Sequence, residues 1–160
     1  MKKVTFVKME ALSGLILDTI QNEGKLKLTV TGNSMYPLLR HGIDSVVLKS
    51  VQHIKKYDIL LYKRQNGAYI LHRVIKIKDS ILYIAGDNES NIEYPVYLDQ
   101  VLAVVEGFYR KEQYISCKNL FYKLYCVFWV MVIPYRHQMI RLLKKIRFCW
   151  RRLRRKKNGN

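Results

Sequence analysis

The pattern of apolar and polar positions divides the chain into a short helix, a series of strands and a helical tail. Apolar residues recur at three-to-four spacing in Lys8–Glu23, which predicts an amphipathic helix that ends at Gly24. Alternation over Lys25–Thr31 then predicts a half-buried strand. Further strands are predicted where aliphatic and β-branched residues cluster: Ser45–Leu48, Asp58–Lys63, Ala68–Ile77, Ile81–Ala85, Val101–Tyr109 and Gln113–Ile115.

The segments between these strands are short and polar. Asn66-Gly67 predicts a tight hairpin, because both residues accept a positive φ. Lys78-Asp79-Ser80 predicts a second turn, and Gly86–Tyr94 is predicted to be a loop. Strands at this spacing predict a mainly β fold, either a barrel or a folded sheet, rather than an α/β sandwich.

The sequence changes character near Cys117. Leu120–Ile133 is apolar and aromatic, and Pro134 ends it. Arg136–Lys157 contains 11 Lys and Arg residues, with apolar residues at helical spacing, which predicts a basic amphipathic helix. We therefore distinguish a β-rich body, residues 1–116, from a helical tail, residues 117–160.

The charge is concentrated in this tail. The net charge of the chain is +17, but residues 1–112 hold 16 Lys/Arg and all 12 Asp/Glu, whereas residues 113–160 hold 13 Lys/Arg and no acid. Such a segment needs an anionic partner, either a membrane surface or nucleic acid. The aromatic block beside the basic run favours lipid, and each basic residue near an anionic leaflet contributes about 1 kcal/mol.

The sequence allows two ways in which the tail could contact a membrane, by spanning it or by lying in its interface. Leu124–Ile133 is an uninterrupted apolar run, but a membrane span needs about 20 residues. We prefer a helix pair in the interface, hinged at Pro134, with its aromatic face in the lipid and its Lys/Arg on the headgroups. No N-terminal signal peptide is expected, because Ser13 and Asp18 interrupt the apolar stretch Leu12–Ile20. We therefore expect the cytoplasmic face of the plasma membrane; the alternative is a single-pass protein with an extracytoplasmic body.

The cysteines do not indicate a metal site. Cys117, Cys126 and Cys149 all lie in the tail, without a Cys/His spacing typical of metal ligands. We expect free thiols, and neither a metal nor another cofactor. The sequence does not indicate an oligomeric state.

The candidate chemistry begins at Ser34. Gly32 and Asn33 tolerate unusual backbone angles, so the chain can turn sharply and present the Ser34 hydroxyl at the end of a strand. Pro37 then fixes the direction in which the chain leaves. A serine presented in this way is a nucleophile if a base lies within hydrogen-bond reach, and otherwise a polar loop residue.

The candidate base is His72, in the middle of the longest predicted strand. Alternation places His72 on the face of Ile70 and Val74, so we expect it to be partly buried. A buried neutral imidazole can accept the proton of a serine near neutral pH. The alternative is a core histidine that bonds a backbone carbonyl.

A carboxylate could complete the set. Asp87 follows the strand Ile81–Ala85 and could hold the imidazole in its productive tautomer, although a turn aspartate that bonds its own backbone is an equal alternative. Glu93 and Asp99 are rival carboxylates.

Four ordered segments resemble the superfamily of signal peptidase I and the LexA-like repressor peptidases. They are Gly32-Asn33-Ser34-Met35-Tyr36-Pro37, Tyr57-Asp58-Ile59-Leu60-Leu61-Tyr62, His72-Arg73-Val74 and Gly86-Asp87-Asn88. The resemblance covers residues from about 25 to 107. It implies a fold of coiled β-sheets, residues 1–116 as the catalytic domain, and a serine endopeptidase with Ser34 as nucleophile. His72 stands where many members carry a lysine base.

The resemblance has further implications for the site. The small residue two before the serine is Gly32, so the backbone N–H groups of Ser34 and Met35 are expected to form the oxyanion hole. Glu93 stands where His-type members carry an aspartate, so either Asp87 or Glu93 could be the third member. The expected substrate is a leader or signal segment of an exported protein or peptide precursor. The alternative is an inactive β-domain that acts as an adaptor on a membrane or nucleic acid.

Overall fold

The computed structural model describes residues 9–142 and 145–146. The prediction of a mainly β fold is confirmed: eight strands form one antiparallel sheet, accompanied by short helices. The elements in chain order are α1 (Met9–Glu23), β1 (Lys25–Thr29), β2 (Ser45–Lys49), β3 (Ile59–Lys63), β4 (Tyr69–Lys78), β5 (Ile81–Ala85), β6 (Glu93–Val96), a 3-10 turn (Leu98–Gln100), β7 (Val101–Arg110), β8 (Gln113–Ser116), α2 (Leu120–Met131) and a second 3-10 turn (Ile133–Tyr135).

The sheet is open rather than closed into a barrel. Its strand order is β1-β2-β7-β3-β4-β5-β6, and β8 pairs with β7 beside this path. In the described chain the end strands β1 and β6 do not pair with each other. The register places Leu60 of β3 opposite His72 of β4, which puts the candidate base in the middle of the sheet.

The loop predicted over Gly86–Tyr94 ends earlier than expected, because Glu93 begins strand β6. Glu93–Val96 pairs with β5 alone, at the edge of the sheet. The strand contains Pro95, and proline cannot donate a hydrogen bond to a neighbouring strand. At an edge that missing donor does no harm.

Strand β3 separates two apolar cores. Its residues alternate, so that Ile59 and Leu61 pack into one cluster and Leu60 and Tyr62 into the other. The first cluster also takes residues from α1, from the loop after Ser34 and from α2. The body and the tail therefore share one core.

The tail packs on the sheet through an aromatic helix face. Tyr122, Cys126 and Trp129 of α2 are buried, whereas Phe121 and Phe128 are exposed. The expectation that the aromatic face meets lipid is therefore wrong for the buried pair, because Tyr122 and Trp129 cover polar groups of the body.

A break follows α2 where the sequence predicts one. The 3-10 turn that contains Pro134 separates α2 from a helical segment over residues 136–142. Most of the predicted helix Arg136–Lys157, with Cys149, lies outside the described residues. Among the residues that the structure describes, no helix has the length and apolar character needed to cross a membrane.

Candidate active site

The loop that carries Ser34 is fixed at its base. Val30 donates its N–H to the carbonyl of Asp44 at 2.9 Å, and the N–H of Gly42 returns to the carbonyl of Val30 at 2.8 Å. The buried Asp44 carboxylate accepts two bonds from the Arg40 guanidinium, at 2.9 and 2.6 Å. These bonds close a compact loop between β1 and β2.

The same loop is anchored in the core on both sides of its turn. Gly32 adopts a φ of +87°, which permits the sharp turn that the sequence predicts. Met35 and Leu39 are buried in the first apolar cluster. The side chain of Arg110 donates to the carbonyl of Pro37 at 3.1 Å. Ser34 is half-buried, and these contacts fix the loop that presents it at the surface.

His72 is buried, on the face of Val74, as alternation predicts. Its Nδ1 lies 3.4 Å from the hydroxyl of Tyr62, and its Nε2 lies 3.6 Å from a carboxylate oxygen of Glu89. Burial lowers the pKa of His72 from its ordinary value of 6.5, and the Glu89 carboxylate opposes this shift in part. The imidazole is therefore neutral near pH 7, which is the state that a general base requires.

The partners of Tyr62 decide which nitrogen of His72 carries the proton. Tyr62 donates its hydroxyl proton to Glu93 at 2.7 Å, and Arg64 holds the same carboxylate. Burial, together with Glu93, raises the pKa of Tyr62, so the phenol stays protonated. Because its proton is used, the phenol oxygen can only accept from Nδ1–H. Nε2 then carries the free lone pair.

Gly86 brings Ser34 and His72 together. A Cβ atom at Gly86 would lie 3.0 Å from His72 Nε2 and 3.1 Å from Ser34 Cβ. These two atoms can lie no farther apart than the two distances together, about 6 Å. The contacts among the described residues do not include a hydrogen bond between the two side chains, but catalytic bonds are often long before substrate binds.

The loop after Gly86 also touches the nucleophile through its backbone. Asn88 donates its N–H to the carbonyl of Ser34 at 2.6 Å. Within the described chain, the N–H groups of Ser34 and Met35 donate no hydrogen bond. Two free donors therefore lie where the sequence analysis expects an oxyanion hole.

Asp87 points away from His72. Its carboxylate accepts two bonds from Arg73, at 2.9 and 2.8 Å, and both side chains are fully buried. Tyr125 of α2 donates to it at 3.2 Å. The other rival carboxylates lie in different surroundings: Glu93 reaches His72 through Tyr62, whereas Asp99 is exposed in a 3-10 turn.

The tail holds the loop of residues 86–89 from outside. Trp129 donates its indole N–H to the carbonyl of Asp87 at 2.9 Å. The buried guanidinium of Arg136 donates to the carbonyls of Gly86 and Glu89, both at 2.7 Å. The sequence predicts that Arg136 binds lipid headgroups with the other basic residues of the tail. This prediction is wrong for Arg136, because its guanidinium is buried in the protein and bonds these carbonyls.

The contacts of Tyr62, Glu89 and Trp129 at the site are not predicted from the sequence. Tyr62 lies in a segment that supports the resemblance, and the two-residue alternation places it on the His72 face of a neighbouring strand. This alternation is visible in the sequence and could have predicted the contact between Tyr62 and His72. Glu89 lies in an irregular loop, and no periodicity indicates where its side chain goes.

Comparisons with known proteins do not identify the chain. No protein-family model and no curated protein matches it.

Proposed function

We propose that the protein is a serine endopeptidase of the signal-peptidase-like superfamily, with the coiled-sheet fold of that group. The observation that carries the proposal is that Ser34 Cβ and His72 Nε2 both lie beside Gly86, at most about 6 Å apart. The Tyr62–Glu93 pair supports it, because this pair leaves the lone pair of His72 on Nε2.

The geometry supports a two-step mechanism. Ser34 Oγ attacks the carbonyl carbon of the scissile bond while His72 Nε2 accepts the hydroxyl proton. The N–H groups of Ser34 and Met35 stabilise the oxyanion. His72 then gives the proton to the leaving amine, and the acyl-enzyme forms. A water molecule then attacks the acyl carbon while His72 accepts its proton. His72 returns this proton to Ser34 Oγ as the acyl group leaves as a carboxylic acid.

Substrate and location are parts of the same proposal. The substrate class is a leader or signal segment of an exported protein or peptide precursor. The acid-free tail holds the enzyme on an anionic membrane surface, on its cytoplasmic face.

The direct test is labelling of the full chain with a fluorophosphonate, a reagent that modifies activated serines. We expect Ser34→Ala to abolish labelling and His72→Ala to slow it at least about a thousandfold, because nucleophile and base act as one unit. Peptide cleavage should fall in parallel, and the double variant should be little worse than either single variant. Ser50→Ala, at an exposed serine, is the matched control and should leave both rates unchanged.

One observation favours the alternative, an inactive adaptor. The Glu89 carboxylate lies near His72 Nε2, the atom that must face Ser34. If wild-type protein and Ser34→Ala protein are labelled equally, Ser34 is not activated and the adaptor is the better description.

A further inference from the structure

Helix α2 has two faces with different surroundings. The inner face holds the loop of residues 86–89 through Trp129, and the next helical segment adds Arg136. This loop contacts Ser34 through Asn88 and lies against His72 through Gly86. The position of α2 therefore affects the position of the loop that contacts both the nucleophile and the base.

The outer face of α2 is apolar and exposed. Phe121 is 80% exposed, Met131 74% and Phe128 50%. The exposed apolar positions follow helical spacing and continue into the next segment: Leu120, Phe121, Leu124, Val127, Phe128, Met131, Tyr135, Leu142 and Ile146. A helix face with this many exposed apolar side chains indicates an interaction site.

The charges around this face identify its partner. Among the described residues of the tail, Lys118, Lys123, Arg141 and Lys145 are exposed beside the apolar positions. Residues 113–160 contain no carboxylate side chain to pair with them. None of these four cations forms a salt bridge among the described residues. An apolar helix face bordered by such cations fits the surface of an anionic bilayer, where apolar side chains enter the acyl boundary and cations meet phosphates.

We propose that the outer face of α2 docks on an anionic lipid bilayer, and that docking activates the site supported by the inner face of the same helix. The docking stands on its own, whereas the activation rests on the proposed protease function. Docking adds free energy to the arrangement in which α2 is seated on the sheet, so the population with the loop in place increases.

The experiment uses the full chain with two kinds of vesicle, phosphatidylcholine alone and phosphatidylcholine with phosphatidylglycerol at about three to one. Binding is measured by sedimentation, the site by the rate at which a soluble fluorophosphonate labels Ser34, and the loop by hydrogen exchange at the Asn88 amide. We expect binding to the anionic vesicles, with labelling faster by about fivefold or more and Asn88 exchange slower by a similar factor.

Two variants separate the docking face from general surface effects. Phe121→Asp/Phe128→Asp should lose vesicle binding and both changes, yet keep the solution labelling rate of the wild type. Val51→Asp/Leu98→Asp is the matched control, because these side chains are 37% and 54% exposed and lie outside both α2 and the Ser34 loop. This control should behave as the wild type does.

The outcomes distinguish the two proposals. If vesicles leave labelling and Asn88 exchange unchanged, or if the chain binds a single-stranded oligonucleotide and not vesicles, the inference is wrong while the protease can stand. If Ser34 is never labelled, but vesicles bind and slow exchange at Asn88, the protease is rejected and the coupling between docking face and loop stands.

Discussion

His72 and Arg73 are neighbours in β4, but their side chains lie on opposite faces of the sheet in very different surroundings. Arg73 is fully buried and makes two short bonds to an equally buried carboxylate, Asp87. His72 is also buried, but its nearest polar partners lie at 3.4 and 3.6 Å, and one of them, Glu89, is partly exposed. One face is saturated with hydrogen bonds, and the other is not.

The difference separates a structural group from a reactive one. A buried ion pair with good geometry on both sides is costly to disturb. A buried imidazole with long contacts can take up and release a proton, and its neutral form is favoured by burial. The same strand therefore supplies a fixed anchor for the tail and a titratable group for the site.

The largest expected effect comes from breaking the saturated face. Asp87→Asn leaves the Arg73 charge buried without a counter-charge, so we expect the free energy of unfolding to fall by about 3 kcal/mol. Chemical denaturation measures this change. Asp99→Asn, at an exposed aspartate, should change stability by less than about 0.5 kcal/mol. Unchanged stability with a strong loss of Ser34 labelling would instead assign Asp87 to the orientation of His72.

A smaller effect on Ser34 labelling is expected from a change on the His72 face of the sheet, where the polar contacts are long. Tyr62→Phe removes the acceptor for His72 Nδ1–H, so both tautomers become populated and fewer molecules carry a lone pair on Nε2. We expect Ser34 labelling to slow about tenfold, because the free energy of one hydrogen bond, about 1 kcal/mol, corresponds to roughly this change in rate. Glu93→Gln should act in the same direction, and Glu93→Asp should restore part of the rate. A dead Glu93→Gln enzyme beside a normal Asp87→Asn enzyme would make Glu93 the third member of the triad.

The smallest effect is a shift in pH dependence. The base is active when neutral, so the labelling rate rises with pH through the pKa of His72. Burial already lowers this pKa below 6.5, and Glu89 raises it in part. Glu89→Gln should therefore move the acid limb of the rate profile to lower pH, by less than about one unit. Glu112→Gln changes an exposed acid in the β7–β8 turn and should leave the acid limb where it is in the wild type. A shift of the Glu89→Gln profile to higher pH would contradict the placement of Glu89 beside His72.

Local patterns in the sequence predict the local structure well. The Asn66-Gly67 hairpin joins β3 and β4, with Gly67 at a φ of +84° and Arg64 N–H bonded to the Ala68 carbonyl. Alternation predicts that His72 turns towards the interior, although His72 is more deeply buried than the partial burial expected. Both results depend on neighbours in the chain or on one strand, where spacing alone decides which way a side chain points.

Partners distant in sequence are harder to predict. Asp87 follows a strand in the way that a triad aspartate does, but its carboxylate is taken by Arg73 and by α2, which lies about forty residues further along. The spacing Tyr122, Cys126, Trp129 marks an inner helix face, yet a composition rich in aromatic residues favours lipid as readily as a protein core. Only the packing of α2 on the sheet decides between them.

In the described part of the chain, the main path of the sheet ends in β1 and β6, whose outer edges a second molecule could extend. In β1, exposed lysines alternate with half-buried leucines, and the ammonium of Lys27 lies 3.9 Å from the ring centre of Tyr109. In β6, Pro95 lacks the N–H that a neighbouring strand would use. Charge on one edge and proline on the other oppose the pairing of strands between molecules. Crowded copies of the protein should therefore remain separate instead of joining their sheets into aggregates.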